Sequence, residues 1–363
     1  MWGIAQMKQG KKVTIKDIAR EAGASIATVS RVLNGRNYPV SNDLRARILD
    51  AVRRLDYAPG AAAASSRRSA SRDIGVLIPN ITNPFYPQAF LGIEAVLREK
   101  GYNILLFNTF RSIQRERECL KLLMEKQVRG VIISMVEGEA DDLVRYADHG
   151  MQFVLLDQTM PGLNCPSINF DSRRGAMMAI EHLLKNGHGR IAFATTPLVR
   201  SSRIDTHRGY REALAAADIP YRGEYVFISP SEPEEEHQNY ELDAGRAIAG
   251  KFLSEGCDAT AIFCVNDMLA IGVMNALIES GVRIPEDVSI VGFDDIAFAG
   301  VYNPQLTTVH SPIYDTGKLA AMLLLENMVN SGRSQIAFNV NLEPTLIERK
   351  TVRNLAADRM NHL

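Results

Sequence analysis

The outer face of one short predicted helix near the N-terminus carries side chains that can contact nucleic acid. Residues 13–35 read VTIKDIAREAGASIATVSRVLNG, and the second half of this segment leaves a mostly polar, non-acidic face: Ala27, Thr28, Ser30, Arg31 and Asn34. Arginine has the fork geometry for guanine O6 and N7, while Thr, Ser and Asn can bond phosphates or base edges. Such a face is typical of a helix that enters the major groove of DNA. The alternative is an ordinary helical hairpin with a solvated polar side.

Three short helices must position that face. Apolar residues recur at the spacing of one helix face in each of them: Ile15, Ile18, Ala19 and Ala22 in the first, Val29, Val32 and Leu33 in the second, and Leu44, Ile48, Val52 and Leu55 in the third. Gly23 ends the first helix, and Ser25 is the expected N-cap of the second. The third helix is expected over 41–55. The pattern therefore predicts a small three-helix core.

Residues 13–34 resemble the opening of the LacI family, the lactose and purine repressor group of bacterial regulators. Later segments look like the same family, at 74–79, 83–86, 265–267, 284–295 and 306–309. The resemblance implies that some of these residues read bases and that others hold the DNA backbone: Ile26, Ala27 and Arg31 for the bases, and Thr14, Thr28, Ser30 and Asn34 for the backbone. Ile26 and Ala27 offer only apolar contact, so we expect Arg31 to carry most of the polar base readout.

A basic, low-complexity segment, AAAASSRRSASR at 61–72, follows the third helix and is the clearest linker in the chain. In the family that the chain resembles, this segment forms a hinge helix that pushes a leucine into the minor groove. Counting from Pro59, the leucine position holds Ser66, and Arg67 beside it could instead be attracted to a narrow minor groove. A flexible tether whose arginines contact phosphates without order is the alternative.

Charge is unevenly distributed along the chain. Residues 1–73 contain 14 Lys and Arg against 6 Asp and Glu, a net charge of +8, whereas the whole chain has −1, which leaves about −9 for the rest. A basic head on an acidic body fits a phosphate-binding module joined to a part that does not contact DNA.

Cysteine spacing and hydropathy indicate the cellular compartment. The four cysteines, Cys119, Cys165, Cys257 and Cys264, show neither CxxC spacing nor a His-x-x-x-His partner. They are expected to be reduced core residues, with no metal site and no cofactor. No apolar run reaches membrane-spanning length, and the first dozen residues contain no apolar segment of signal-peptide length. We therefore expect a cytoplasmic protein without a membrane partner.

From residue 74 onward, short apolar strands alternate with helical patterns, which predicts an α/β body of parallel sheets covered by helices. One set of strands reads IGVLIP, NILLFN, GVIIS and FVLLD, and a second reads RIAFAT, YVFIS, AIFCV and VSIVGF. The resemblance implies two doubly wound, periplasmic-binding-protein-like lobes that the chain crosses three times. The crossings are expected near Asn169, Gly300 and Ser331. The expected division is a helix-turn-helix domain at 12–59, a hinge at 60–73, a first lobe at 74–168 and 300–331, a second lobe at 169–299 and 332–350, and a tail at 351–363.

Polar side chains stand directly after several predicted strands, where open α/β sheets bind ligands. Carboxylates and amides pair with vicinal hydroxyls, and an aromatic face can cover a sugar ring. The resemblance marks these positions as effector ligands: Phe85, Asp157, Asn266 and Asp294. Asp and Asn after a strand also cap helices or form turns, and this alternative applies to each of them. Asp267 and Asp295 are expected to be structural.

The family usually supplies an effector-binding arginine at the position that Thr206 occupies here. Arg203 is the expected substitute, because TTPLVRSSR begins at a strand end. Arg200 and Arg208 lie nearby, and an arginine in this segment can also form an ordinary surface salt bridge. An arginine inside the cleft would favour an acidic sugar or a sugar phosphate.

The resemblance and the basic head together predict a transcriptional repressor that binds a palindromic DNA operator as a homodimer. A small molecule, expected to be a sugar or sugar derivative, would bind between the lobes and change operator affinity. A solute-binding protein of a transport system shares the two-lobed body, but the basic head argues against it. An enzyme acting on sugars is disfavoured because GxxxxGK[ST], HExxH and GxSxG are absent from the sequence.

Overall fold

The computed structural model describes residues 15–33, 40–55, 71–135, 140–160, 162–230, 239–330 and 339–360. The chain divides into two compact units between Ala70 and Ser71. Several predicted DNA contacts lie outside the described residues, namely Thr14, Asn34, Ser66 and Arg67, and so does most of the predicted hinge.

The described residues of the smaller unit form three helices: α1 Ile15–Glu21, α2 Ile26–Leu33 and α3 Asn42–Arg54. Gly23 has φ +62°, a left-handed conformation that glycine adopts without strain and that commonly follows a helix end. The Ser25 hydroxyl accepts a hydrogen bond from the Thr28 backbone N–H at 3.1 Å, which confirms the predicted N-cap. Ile18, Val29 and Ile48 are fully buried at the centre of the three helices. The predicted three-helix core is confirmed.

The larger unit alternates strands and helices. Its strands are β1 Asp73–Ile78, β2 Asn103–Asn108, β3 Gly130–Ile133, β4 Gln152–Leu156, β5 Ser167–Phe170, β6 Ile191–Thr195, β7 Val226–Ile228, β8 Ala261–Cys264, β9 Ser289–Asp294, β10 Thr307–His310, β11 Asn339–Leu342 and β12 Thr345–Ile347. Its helices are α4 Phe85–Glu99, α5 Ile113–Glu125, α6 Ala140–Asp148, α7 Ser172–Lys185, α8 Ser201–Ala216, α9 Tyr240–Ser254, α10 Asp267–Glu279, α11 Ala297–Val301, α12 Ile313–Val329 and α13 Leu355–Met360, with a 3-10 turn at Gly223–Tyr225.

The strands form two sheets, each with its own lobe. The first lobe has the order β11-β5-β4-β3-β1-β2, and its neighbouring strands are all parallel. The second lobe has the order β12-β10-β9-β8-β6-β7, in which β12 alone runs antiparallel to its neighbour. Strands β3, β4, β6 and β8 are buried along their whole length, as parallel strands covered on both faces by helices must be. The predicted α/β class is confirmed.

Helices on one side of each sheet pack unusually closely because glycine lies at their crossing. In the first lobe, a Cβ on Gly317 of α12 would lie 1.9 Å from the Ala89 carbonyl oxygen of α4. In the second lobe, a Cβ on Gly272 of α10 would lie 2.2 Å from the Leu242 carbonyl oxygen of α9. Any side chain at either glycine would therefore force the two helices apart.

The crossings between lobes differ from the sequence prediction in two of three places. The chain leaves the first lobe at Asp171, after β5, where a crossing near Asn169 was expected. The crossing predicted near Gly300 is wrong, because β10 pairs with β9 in the second lobe and the chain returns only before α12. The crossing predicted near Ser331 is also wrong, because β11 pairs with β5 in the first lobe and the last crossing falls between β11 and β12.

The segment predicted as a tail, 351–363, begins inside the second lobe. Thr351 is fully buried, and its hydroxyl donates to the Ile290 carbonyl oxygen at 2.6 Å. The same hydroxyl accepts from the Thr307 backbone N–H at 2.9 Å. Helix α13 then follows, and its first backbone N–H, from Leu355, donates to the Asn186 carbonyl oxygen at 2.9 Å. The second lobe therefore extends past residue 350.

Candidate functional site

The described part of the predicted DNA-reading surface lies on one helix, α2. Ile26, Ala27 and Arg31 are exposed, whereas Thr28 and Ser30 are half-buried. Val29 points the opposite way and is fully buried. The Thr28 hydroxyl lies 2.8 Å from the Ser25 hydroxyl, so the cap also orients Thr28. The buried Val29 and the Ser25 cap thus hold this short surface in position.

The five residues predicted to bind an effector line a single cavity in the larger unit: Phe85, Asp157, Arg203, Asn266 and Asp294. They reach it from both lobes. Asp157 follows β4 and Phe85 begins α4 in the first lobe, whereas Asp294 ends β9 and Arg203 lies in α8 of the second. The cavity is small, with a volume of about 60 Å³. The ends of parallel strands in two separate sheets therefore converge on one polar cleft.

Arg200 crosses this cleft, which the sequence analysis did not predict. It precedes α8 in the second lobe and is buried, with its guanidinium among first-lobe groups. Nη1 donates to the Tyr86 hydroxyl at 2.8 Å, and Nη2 donates to the Ser134 hydroxyl at 3.1 Å. Nη2 also lies 3.4 Å from Asp157 Oδ2, which accepts a further bond from the Ser202 hydroxyl at 3.1 Å. Arg200 and Arg203 thus both enter the cleft, while Arg208 is exposed beside Asp205 at 3.3 Å.

A second polar cluster also joins the lobes. Arg111, which follows β2, forms a buried ion pair with Glu241 of α9. Asn83 Nδ2 donates to Glu241 Oε1 at 3.2 Å, and the Arg111 guanidinium lies 4.9 Å from the centre of the Tyr240 ring. Glu241 also lines the cavity. No sequence pattern singled out this cluster, since its members come from separate loops and a helix start.

Burial and neighbouring carboxylates control the charge of the two cleft aspartates. Burial raises the pKa of Asp294 well above its ordinary value, Asp267 and Asp157 add to the rise, and Arg203 opposes it. Burial likewise raises the pKa of Asp157, against the attraction of Arg200. Asp157 and Asp294 have backbone φ angles of 55° and 116°, in a region that residues other than glycine rarely occupy. Such backbone strain persists where the surrounding structure holds it, often at functional sites.

Three further strand-end residues have structural roles, as expected for two of them. Asn266 caps α10 by accepting from the Leu269 N–H at 2.8 Å, while it also lines the cavity. Asp267 is fully buried and accepts from the Ile296 N–H at 2.9 Å and the Thr308 hydroxyl at 2.5 Å. Asp295 bonds Arg349 at 2.5 Å and His310 at 3.0 Å. Asn266 therefore caps a helix, as the alternative interpretation proposed, and it also lines the cleft.

The apolar wall of the cleft is aromatic. The Phe85 ring packs edge-to-face against Tyr86 at 5.1 Å and against Phe170 at 5.9 Å between ring centres. Such edge-to-face pairs stabilise the positions of the rings beyond what burial of their apolar area contributes.

Among the residues that the structure describes, no group of His, Cys, Asp and Glu could hold a metal ion. The described helices include none that is long and apolar enough to cross a membrane.

A three-helix DNA-binding head and a two-lobed α/β body with a polar cleft define a transcriptional regulator that responds to a small molecule. Residues 14–60 match the family described as "Bacterial regulatory proteins, lacI family", and residues 180–352 match the "Periplasmic binding protein-like domain". The chain is 32% identical over 344 residues to the HTH-type transcriptional repressor PurR of Vibrio cholerae, covering 94% of this chain and 98% of that protein. The chain belongs to the LacI family.

Solved structures agree with this assignment. The transcriptional regulator CelR in complex with cellobiose has a TM-score of 0.69 and 27% identity, over 93% of this chain and 99% of that one. The lac repressor dimer bound to operator and the anti-inducer ONPF has a TM-score of 0.69 and 26% identity. This match covers 94% of the present chain and 100% of the lac repressor chain. The predicted helix-turn-helix regulator is confirmed. The alternatives of a transport solute-binding protein and of an enzyme are wrong, because these relatives are transcriptional regulators.

Proposed function

We propose that this regulator is a repressor whose operator affinity changes when a neutral sugar binds in the cleft between its lobes. The observation that carries the proposal is the convergence of Phe85, Asp157, Arg203, Asn266 and Asp294 on one cavity. Carboxylates, an amide and a guanidinium there would hydrogen-bond sugar hydroxyls, and Phe85 would cover an apolar ring face. CelR, which was solved in complex with cellobiose, supports a carbohydrate as the class of ligand.

The balance of charge in the cleft favours a neutral ligand over an acidic one. Arg200 and Arg203 lie near Asp157 and Asp294, and Arg111 is paired with Glu241. A carboxylate or phosphate on the ligand would have to approach these carboxylates and compete with them for the guanidinium groups. Arginine in the cleft alone would have indicated an acidic sugar, but Arg111 and Arg200 already bond carboxyl groups of the protein, which argues for a neutral polyol.

The size of the cleft links binding to a change of shape. Its volume of about 60 Å³ is well below the roughly 300–1,000 Å³ typical of ligand pockets. A sugar therefore has to separate the lobes or displace Arg200 from its first-lobe partners. A ligand that prefers one lobe arrangement shifts the population of that arrangement, and it changes DNA affinity as far as the two are coupled, by about 1–3 kcal/mol.

The DNA contacts complete the proposal. Ile26, Ala27 and Arg31 would read bases, and Thr14, Thr28, Ser30 and Asn34 would hold the backbone. Ser66 and Arg67 would contact the minor groove without a leucine wedge, so the Ser66→Leu variant should bend the operator more strongly. A palindromic operator needs two heads, so we propose a homodimer that works in the cytoplasm. Light scattering after size-exclusion chromatography would contradict the dimer if it gave the mass of one chain.

A thermal-shift screen followed by DNA titration tests the proposed effector. The full chain is mixed with neutral monosaccharides and disaccharides, sugar acids and sugar phosphates. A ligand at a hundred times its dissociation constant should stabilise the protein by about 2.7 kcal/mol. Each ligand found is then added to a complex with an operator selected from random DNA. Stabilisation by sugar acids alone would contradict the neutral ligand, and unchanged operator affinity would contradict the regulatory role.

A further inference from the structure

We infer that the cleft has a second, outer sugar subsite beside the inner cavity, and that the effector is therefore a disaccharide or other glycoside. This inference rests on the proposed function. The outer cavity has a volume of about 310 Å³ and shares Asp157, Phe170, Ser172 and Ser202 with the inner one. These four residues therefore belong to the walls of both cavities, which lie side by side. The outer cavity alone reaches the lower end of the roughly 300–1,000 Å³ typical of ligand pockets, whereas the inner cavity has to open to admit a sugar.

The floor of the outer cavity is a row of amides on two neighbouring strands. Asn339 and Asn341 lie two residues apart on β11, so their side chains share one face of the sheet. Asn169 of β5 is in register with Asn341, and Ser167 is in register with Asn339. The Ser167 hydroxyl donates to Asn339 Oδ1 at 2.6 Å and accepts from Asn169 Nδ2 at 2.9 Å. This network orients Asn339 and Asn169 before any ligand arrives.

The opposite wall comes from the second lobe and is also polar. Ser201 and Asp205 of α8 line it, together with Arg173 of α7. Asp171 lies between the walls and accepts from the Arg174 N–H at 2.8 Å. Amides, hydroxyls and carboxylates supply donors and acceptors in the close pairs that vicinal hydroxyls of a sugar require. An outer sugar would therefore contact both lobes, as the inner one does.

The charges of the outer cavity are matched within the protein, which favours a neutral ligand there too. The Arg173 Nε lies 2.5 Å from Glu212, and the Arg208 guanidinium lies 3.3 Å from Asp205. Phe170 is the aromatic residue common to both cavities. A glycoside that extends from the inner cavity past Phe170 would present hydroxyls, and not a second charged group, to the asparagine row.

Calorimetry on the full chain tests the subsite with matched sugars: cellobiose, maltose and lactose against glucose and galactose. We expect one disaccharide to bind at least about tenfold more tightly than either of its monosaccharides. The Asn341→Ala variant should weaken the binding of that disaccharide by about 5–30-fold, as expected for a lost hydrogen bond. Its affinity for monosaccharides should change by less than about twofold. The control is Asn103→Ala, an exposed asparagine on β2 at the opposite edge of the same sheet.

The outcomes separate this inference from the proposed function. A monosaccharide that binds as tightly as its disaccharides would overturn the outer subsite and leave the sugar effector intact. A preference for a disaccharide that Asn341→Ala does not reduce would overturn the placement of the subsite on the asparagine row. Failure of every neutral sugar of the thermal-shift screen to bind would overturn the proposed function itself.

Discussion

The predicted DNA-reading surface and the proposed effector cleft are built in opposite ways. The described part of the reading surface lies on the single eight-residue helix α2, held by the cap at Ser25 and the buried Val29. The cleft draws residues from both lobes, and Arg200 and Glu241 each bond a group of the other lobe. Substitutions in α2 should therefore act within the head, whereas substitutions in the cleft should be coupled across the lobes.

The largest expected effect comes from breaking the buried pair that joins the lobes. The Glu241→Ala variant leaves the Arg111 guanidinium buried without its carboxylate, so the free energy of unfolding should fall by about 3–5 kcal/mol. Urea unfolding followed by circular dichroism measures this loss. The double variant Arg111→Met with Glu241→Leu should recover most of it, because two apolar groups replace both charges.

The matched control for this variant is an acid-to-alanine change in an exposed ion pair of the same unit. Glu279 lies 2.5 Å from Arg246 on the surface, and Glu279→Ala should cost less than about 1 kcal/mol. Equal losses for Glu241→Ala and Glu279→Ala would show that the pair between the lobes contributes no more than a surface contact.

The next effect tests whether the cleft communicates with DNA binding. The Asp294→Ala variant should abolish the ligand-dependent change in operator affinity, a coupling of about 1–3 kcal/mol, and leave ligand-free DNA binding near normal. Titration of a labelled operator with and without the effector from the screen measures this. Asp287→Ala, a surface aspartate of the same lobe paired with Arg283 at 2.5 Å, serves as the control. Undiminished ligand affinity in Asp294→Ala would leave Asp294 as a turn residue only.

A comparable but local effect is expected in the head. The Arg31→Ala variant should lose about 1–3 kcal/mol on the operator and relax the preference at one base pair in each half-site. Lys12, which lies outside the described residues, is expected to contact phosphate, so Lys12→Ala should weaken specific and random DNA alike and lower the salt slope by about one. Binding to a library of operator variants distinguishes the two. Unchanged operator preference in Arg31→Ala would show that α2 is not the recognition helix.

The smallest effect concerns the cap that orients α2. The Ser25→Ala variant removes the acceptor for the Thr28 N–H and should lower the stability of the head by about 1 kcal/mol. Ser25→Gly should cost only a few tenths, since glycine is tolerated at this position. Thermal unfolding of the full chain, followed at head resonances by NMR, measures both. Loss of effector binding in Ser25→Ala would contradict the local character of the head.

Much of the fold could be predicted from the sequence because the signals are local. The caps and apolar faces of the head depend on residues three or four positions apart, and the spacing of Ile15, Ile18 and Ala22 therefore predicted its core. Buried strands of a parallel sheet appear as short apolar runs, which predicted the α/β class. Ligand positions at strand ends follow from the same rule, and Asp157, Asn266 and Asp294 do line one cavity.

Only the tertiary structure decided which strands pair and which side chains meet across the lobes. Strands β10 and β11 are four residues long. Pairing of β10 with β9 and of β11 with β5 decides which lobe each strand joins, and the periodicity of the sequence carries no information on this pairing. That pairing brings Asn339 and Asn341 to the outer cavity. The contacts of Arg200 with Tyr86 and of Arg111 with Glu241 join residues far apart in the chain. Such contacts form only when both lobes are folded and face each other, so their energies belong to the packed cleft and to no local segment.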